Sequence, residues 1–249
     1  MRFVLAALAY IADPAHWSGA MGIGPLLVQH VLYSLVGVLI AALIGVPAGW
    51  WVGHTGRGRT WVQPLSGMAR SLPTLGLITL FGLVLGVGLS APMIAFVILA
   101  LPSVLAGAMS GVRAASVMAV DGARASGMSE LQVLGRVEIP LGAPLLVGGV
   151  GLARLQGVSA AFPRGAPLLA GGLPPPPLRV IPPATLAAYT GAGGLGRLMF
   201  LGLKTQDYVM MLASALLVIS LALASEAIFA LIQWGVTPPG ARQHRKESA

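Results

Sequence analysis

The stretch SLPTLGLITLFGLVLGVGLSAPMIAFVILALPSVLAGAMSGV, Ser71 to Val112, contains no Asp, Glu, Lys or Arg. A bilayer's hydrocarbon core is ~30 Å thick, and a helix needs about 20 apolar residues to cross it. The run is too long for one crossing. It is broken at Gly86-Val-Gly88-Leu-Ser-Ala-Pro92, a turn-like sequence. Two spans are therefore predicted, at about Gln63–Val87 and Ala91–Val112. Upstream, Pro14 to Gly56 is equally free of charge and holds one span, roughly Leu26–Val52. A fourth is expected from Pro140 to about Ala160, and a fifth from Tyr208 to Trp234.

Composition agrees with this reading. Of the 249 residues, 56% are hydrophobic and 9% charged, whereas a soluble domain is about a quarter charged. Seven acids and fifteen bases cannot coat a water-soluble protein of this size. An ordinary cytosolic enzyme, a disordered chain and a nucleic-acid binder are excluded. The net charge of +8 comes from bases scattered between apolar runs, as in membrane-protein loops. With no cysteine, neither disulfides nor a thiolate metal site arise.

Arg57 and Arg59 follow the first span. Arg113, Arg124 and Arg136 lie between the third and fourth, and Arg242, Arg245 and Lys246 follow the fifth. Five spans with an outside N-terminus place all three groups in the cytoplasm, as the positive-inside rule asks. Trp17, Trp50, Trp51, Trp61 and Trp234 fall near span ends, as an aromatic belt would. Met1–Ala12 reads as an uncleaved interfacial segment in preference to a signal peptide, because its apolar stretch is short and Asp13-Pro14 follows without a small-residue cleavage site. Pro47, Pro73, Pro102 and Pro144 fall inside spans, where a freed carbonyl requires neighbours or water.

Between the third and fourth spans, Ser116 to Pro140 predicts a helix–turn–helix. Asp121 and Arg124 pair at i,i+3 on a short helix over Val117–Ala125. Gly127 stops it. Ser129 with Gln132 forms a capping-box pattern for a second helix with an apolar side of Leu131, Val133, Leu134 and Val137. Pro140 is expected to end that helix and start the fourth span. The exposed face suits docking into a partner's groove, and from physics alone packing on the chain's own bundle fits as well.

Asp121-Gly122-Ala123, then Gly127, then Val137-Glu138-Ile139-Pro140 resembles the EAA loop of binding-protein-dependent ABC importer permeases: Glu-Ala-Ala, three residues, Gly, nine residues, Ile-x-Leu-Pro. Asp for Glu keeps the charge, and Gly for Ala keeps the small size. Thr185-Leu-Ala-Ala-Tyr-Thr-Gly-Ala-Gly193-Gly194-Leu-Gly196-Arg197, His30-Val-Leu-Tyr-Ser34, Gly53-His-Thr-Gly-Arg57 and Arg70-Ser-Leu-Pro73-Thr74 are similar to permeases for glycine betaine, choline and carnitine. The likeness covers roughly 1–150 and 184–236, and methionine and phosphonate permeases share the glycine-rich part. It implies an all-α polytopic membrane protein of about five transmembrane helices with the type I (MetI-like) ABC importer permease fold. It also implies an osmoprotectant-importing permease subunit of the bacterial cytoplasmic membrane, paired with a second permease (identical or a paralogue), an ABC ATPase and an extracytoplasmic substrate-binding protein. On this resemblance the segment from Asp121 to Pro140 is the element that couples to the ATPase.

The chain is expected to bind no ATP itself. No G-x-x-x-x-G-K-[ST] occurs, and Lys204 and Lys246, the only lysines, follow no glycine. No cofactor or metal is expected; His16, His30, His54 and His244 read as isolated. Gly191-Ala-Gly193-Gly194-Leu-Gly196 satisfies G-x-G-x-x-G, but no strand–turn–helix unit surrounds it. A tight turn permitting close helix packing is the better reading. Glu226 within the fifth span and Arg70 at the start of the second are candidates for the transport path or for packing, with Pro73, Gly193, Gly194 and Gly196.

Gly151 to Pro183 departs from the family, with Arg154, Arg164, Arg179 and a four-proline run ending at Pro177. It reads either as an extracytoplasmic loop or as a frame disturbance with the normal frame resuming near Ala184, in which case transport is impaired. The expected organisation is an extracytoplasmic or interfacial segment 1–25, a transmembrane domain 26–236 with its coupling loop 116–140, and a cytoplasmic basic tail 237–249. Import of methionine or another small nutrient, and a non-transporting membrane scaffold, are the alternatives.

Overall fold

The computed structural model describes residues 2–143 and 183–236. The greater part of the fourth span, the stretch 151–183 except for its last residue, and the tail 237–249 lie outside them. The described residues are helical, with no strand among them. In chain order the helices are α1 (Arg2–Ala12), α2 (Ile23–Thr55), α3 (Arg59–Ser71), α4 (Thr74–Leu85), α5 (Ser90–Arg113), α6 (Val117–Ala125), α7 (Glu130–Val133), α8 (Pro183–Leu186), α9 (Gly196–Thr205) and α10 (Tyr208–Val236). An all-helical body is what lipid demands, since a helix satisfies its backbone polar groups within itself. Among the described residues, three helices are long and apolar enough to cross a membrane: α2, α5 and, over Tyr208–Ser225, α10.

α2 and α5 form the centre. Gly37, Ala41, Gly45, Gly49 and Gly53 recur every fourth residue on α2, so they line one face. That face lies against Phe96, Leu101, Val104, Leu105, Ala108, Met109 and Val112 of α5. Small residues let two membrane helices bring their backbones together and gain dispersion contacts. The approach is closest at Gly49, where an added Cβ would lie 2.5 Å from the Leu105 carbonyl oxygen and 2.6 Å from Ala108 Cβ. Around this pair, Ile78 of α4 packs with Ala95, Phe96, Ala187 and Ala222, while Leu195, Leu198 and Val218 pack on Ile23 and Leu26. α1 lies along α10, with Phe3 edge-on to Tyr208.

The second predicted span needs correction. It is two helices, α3 and α4, interrupted at Leu72-Pro73. Pro73 does not sit inside a helix but takes the N-cap position of α4 with an extended backbone. The residue before a proline is pushed out of the helical region, and Leu72 at φ −68, ψ 128 obeys that rule. The 12 residues of α4 rise only ~18 Å, less than a bilayer core.

Candidate functional site

The segment following α5 is built by local rules. Ser116 caps α6, its Oγ accepting the Ala119 N–H at 3.2 Å. The helix closes in a Schellman arrangement, with the Gly127 N–H donating to the Arg124 carbonyl and the Met128 N–H to the Ala123 carbonyl. Gly127 has φ +82, the left-handed region that favours glycine. Gln132 then reaches back, its Oε1 accepting the Ser129 N–H at 2.9 Å and starting α7.

α7 continues as a π-helical turn, Leu134–Glu138, and the chain stays helical to residue 143. Pro140 therefore does not end the helix, contrary to the sequence reading. A proline ring presses on the carbonyl four residues back, and the widened turn directly before Pro140 leaves room for it. The π turn also aligns side chains. Residues five apart point about 140° apart on an α-helix; i→i+5 bonding brings them nearer one face. Val133 and Glu138 are accordingly both buried against the bundle. Farther along, Gly142 meets Gly111 of α5 backbone to backbone, a contact that admits no side chain on either residue.

The charged side chains form a connected set. Arg124 Nε and Nη2 each donate to Glu130, both at 2.9 Å. Asp121, read from sequence as the partner of Arg124, lies at 3.7 Å and is the looser contact. Glu130 Oε2 also lies 3.2 Å from His54 Nε2, and Glu138 Oε2 lies 2.7 Å from His54 Nδ1. His54, read as isolated, thus stands between two carboxylates at the end of α2. Its ring and the Glu138 carboxylate are 10% and 8% exposed. Arg124 holds the Glu130 carboxyl below its ordinary pKa, chiefly through the hydrogen bonds it donates.

The opposite face of this hairpin is apolar and open. Val117, Met118 and Leu131 are 74%, 85% and 78% exposed. Asp121, Gly122, Gly127 and Pro140 are exposed, and Ala123, Val137 and Ile139 are half-buried.

A second cluster gathers around the glycine-rich turn. Gly191, Gly193 and Gly194 all have positive φ. Gln29 Oε1 accepts the Gly194 N–H at 3.1 Å, and the Tyr33 hydroxyl donates to the Ala192 carbonyl at 2.8 Å. Thr190 exchanges two hydrogen bonds with Gly88 in the α4–α5 connection, and Ser214 of α10 donates to the Leu195 carbonyl. Gly196 lies so close to the Thr185 backbone that a Cβ there would collide. Arg70 lies in α3 and Glu226 in α10. The contacts of His54, the stripe on α2 and the contacts of Gln29 and Tyr33 are not given by the sequence reading. Only the stripe had a local signal, its four-residue recurrence.

Against known proteins, residues 41–162 match the model of the family described as binding-protein-dependent transport system inner membrane component. Similar relatives agree over most of the chain. The carnitine transport permease protein OpuCB of Listeria monocytogenes is 29% identical, covering 88% of this chain and 89% of that protein. The choline transport system permease protein OpuBD of Bacillus subtilis (strain 168) is 26% identical, covering 84% and 83%. In these comparisons the chain resembles the binding-protein-dependent permease family. Its members are ABC transporter permease subunits and are not themselves enzymes. The osmoprotectant import permease protein OsmW of Salmonella typhimurium is 27% identical over 86% of this permease and 91% of its own length. A chain of the MetNI methionine ABC transporter in inward-facing conformations superimposes with a TM-score of 0.65 at 18% identity, covering 84% of this permease and 94% of that chain. The permease thus has the MetI-like fold and is a membrane protein.

Proposed function

We propose that this permease imports a small osmoprotectant — glycine betaine, choline or carnitine — driven by ATP hydrolysis in a separate ATPase subunit. The substrate class rests on relatives whose names give choline, carnitine and osmoprotectant transport. In this reading the hairpin 116–140 faces the cytoplasm and receives the ATPase, the N-terminus lies outside, and the C-terminal tail lies inside. A second permease completes the pore, and a binding protein delivers substrate from outside. The transmembrane domain is taken as 26–236.

One observation carries the docking role. The hairpin is anchored inward by Val133 and Glu138 while Val117, Met118 and Leu131 stand in the open. A loop packing only on its own bundle would bury those three residues. The governing experiment is uptake of labelled glycine betaine, choline and carnitine, with methionine as the competing substrate, by cells expressing the permease with its ATPase and binding protein. Uptake of a quaternary ammonium compound that methionine does not inhibit is expected. Methionine uptake in its place would overturn the substrate assignment.

A further inference from the structure

We infer that His54 is a positioning residue that ties the hairpin 116–140 to α2, so that α2 carries the hairpin's movement to the glycine-rich turn. This rests on the docking role proposed above. A single imidazole touches two parts of the hairpin, Glu130 at the start of α7 and Glu138 in the π turn, and reaches α6 through the Glu130–Arg124 pair. The His54–Glu138 contact is nearly buried, and breaking a buried hydrogen bond leaves its partner unsatisfied, which costs more than breaking an exposed one. Without this tie, the hairpin's remaining anchors on the bundle among the described residues are apolar or glycine contacts, which slide more readily than a hydrogen-bonded pair.

What His54 holds is one continuous helix. α2 is one helix of 33 residues, joined along its small-residue face to α5. From Tyr33 to His54 it rises ~32 Å, about one hydrocarbon thickness. At the far end, Gln29 and Tyr33 hold the turn at Ala192 and Gly194, and Thr190 passes the connection to Gly88. One element therefore has polar contacts with a packed turn at one end and with the hairpin at the other. A mechanical link across the membrane needs both.

The permease has no cysteine, so introduced thiols are read without background. The first arm uses Met118→Cys, crosslinked to a cysteine on the ATPase subunit in the complete transporter in proteoliposomes. Failure to crosslink removes the docking role and the tie with it. The second arm introduces His54→Ala into that crosslinking transporter. Labelled glycine betaine imported per ATP hydrolysed is expected to fall about tenfold, the size of a contacting pair's coupling. A ratio within about twofold of the parent, with the crosslink retained, overturns the tie alone. The third arm guards against misfolding. The double variant His54→Cys, Glu138→Cys is bridged by a short bis-methanethiosulfonate reagent, which is expected to recover the lost ratio and to lose it again on reduction. A bridge that forms without recovery overturns the inference, because a role in packing alone would not follow a reversible link.

Discussion

Glu130 is the side chain on which Arg124 and His54 converge, and its protonation decides how firmly the hairpin turn is held. Its folded-state pKa is lowered, first by the hydrogen bonds from Arg124 and in smaller part by the charge of His54. A group lowered in this way stabilises the folded form above its unfolded pKa and loses that contribution as pH falls through the folded value. The turn should therefore keep these pairs from neutral pH to about pH 5 and release them only below the ordinary glutamate range. Arg124 and Glu130 are both exposed, so release of that pair is a local loosening. Thiol labelling of Met128→Cys, half-buried beneath the turn, should be flat from neutrality to about pH 5 and rise below it. At Gly127 the issue is backbone shape. Valine at φ +82 is strained by about 1–3 kcal/mol. Gly127→Val should sharply reduce betaine import while the protein still inserts and folds; undiminished uptake would count against the hairpin's role.

Among the helices, closeness of approach sets the outcome of substitution. Gly49→Ala would push its methyl into the Leu105 carbonyl of α5 and force the pair apart, with an expected loss of about 1–3 kcal/mol in detergent thermal unfolding. Gly122 in α6 has no atom within 4 Å of an added Cβ. There, Gly122→Ala should stabilise by up to about 1 kcal/mol through helix propensity alone. His30 on α2 is fully buried, and neither ring nitrogen has a hydrogen-bond partner among the described residues. Removing an unsatisfied buried polar group relieves its desolvation, so His30→Leu should raise the detergent melting temperature by an amount worth about 1 kcal/mol. A drop would show that the imidazole has a partner in the membrane-embedded protein.

In the whole transporter, the open face of the hairpin should dominate assembly. Burying a Met or Leu side chain contributes about 1.5–3 kcal/mol, so Met118→Asp with Leu131→Asp should abolish co-purification of the ATPase subunit. Retention of the ATPase by that variant would place the docking surface elsewhere. Much of this architecture is legible in the chain. Apolar runs longer than a bilayer core announce α2, α5 and α10, and Ser116, Gly127 and Gln132 mark the hairpin because capping is a local matter. What stayed hidden depends on distance or on averaging. His54 and Glu138 are 84 positions apart, and nothing within one sequence pairs them. Hydropathy summed across Gln63–Val87 averages over Leu72-Pro73 and so hides the break there. The π turn has no motif; its signature is geometric.

The gap between α3 and α4 has an implication for the bilayer itself. A helix that stops leaves its last-turn carbonyls without the next turn's N–H groups, and acyl chains offer no donors. Where Leu72 and Pro73 lie within the hydrocarbon, those carbonyls must be met by water or by protein donors.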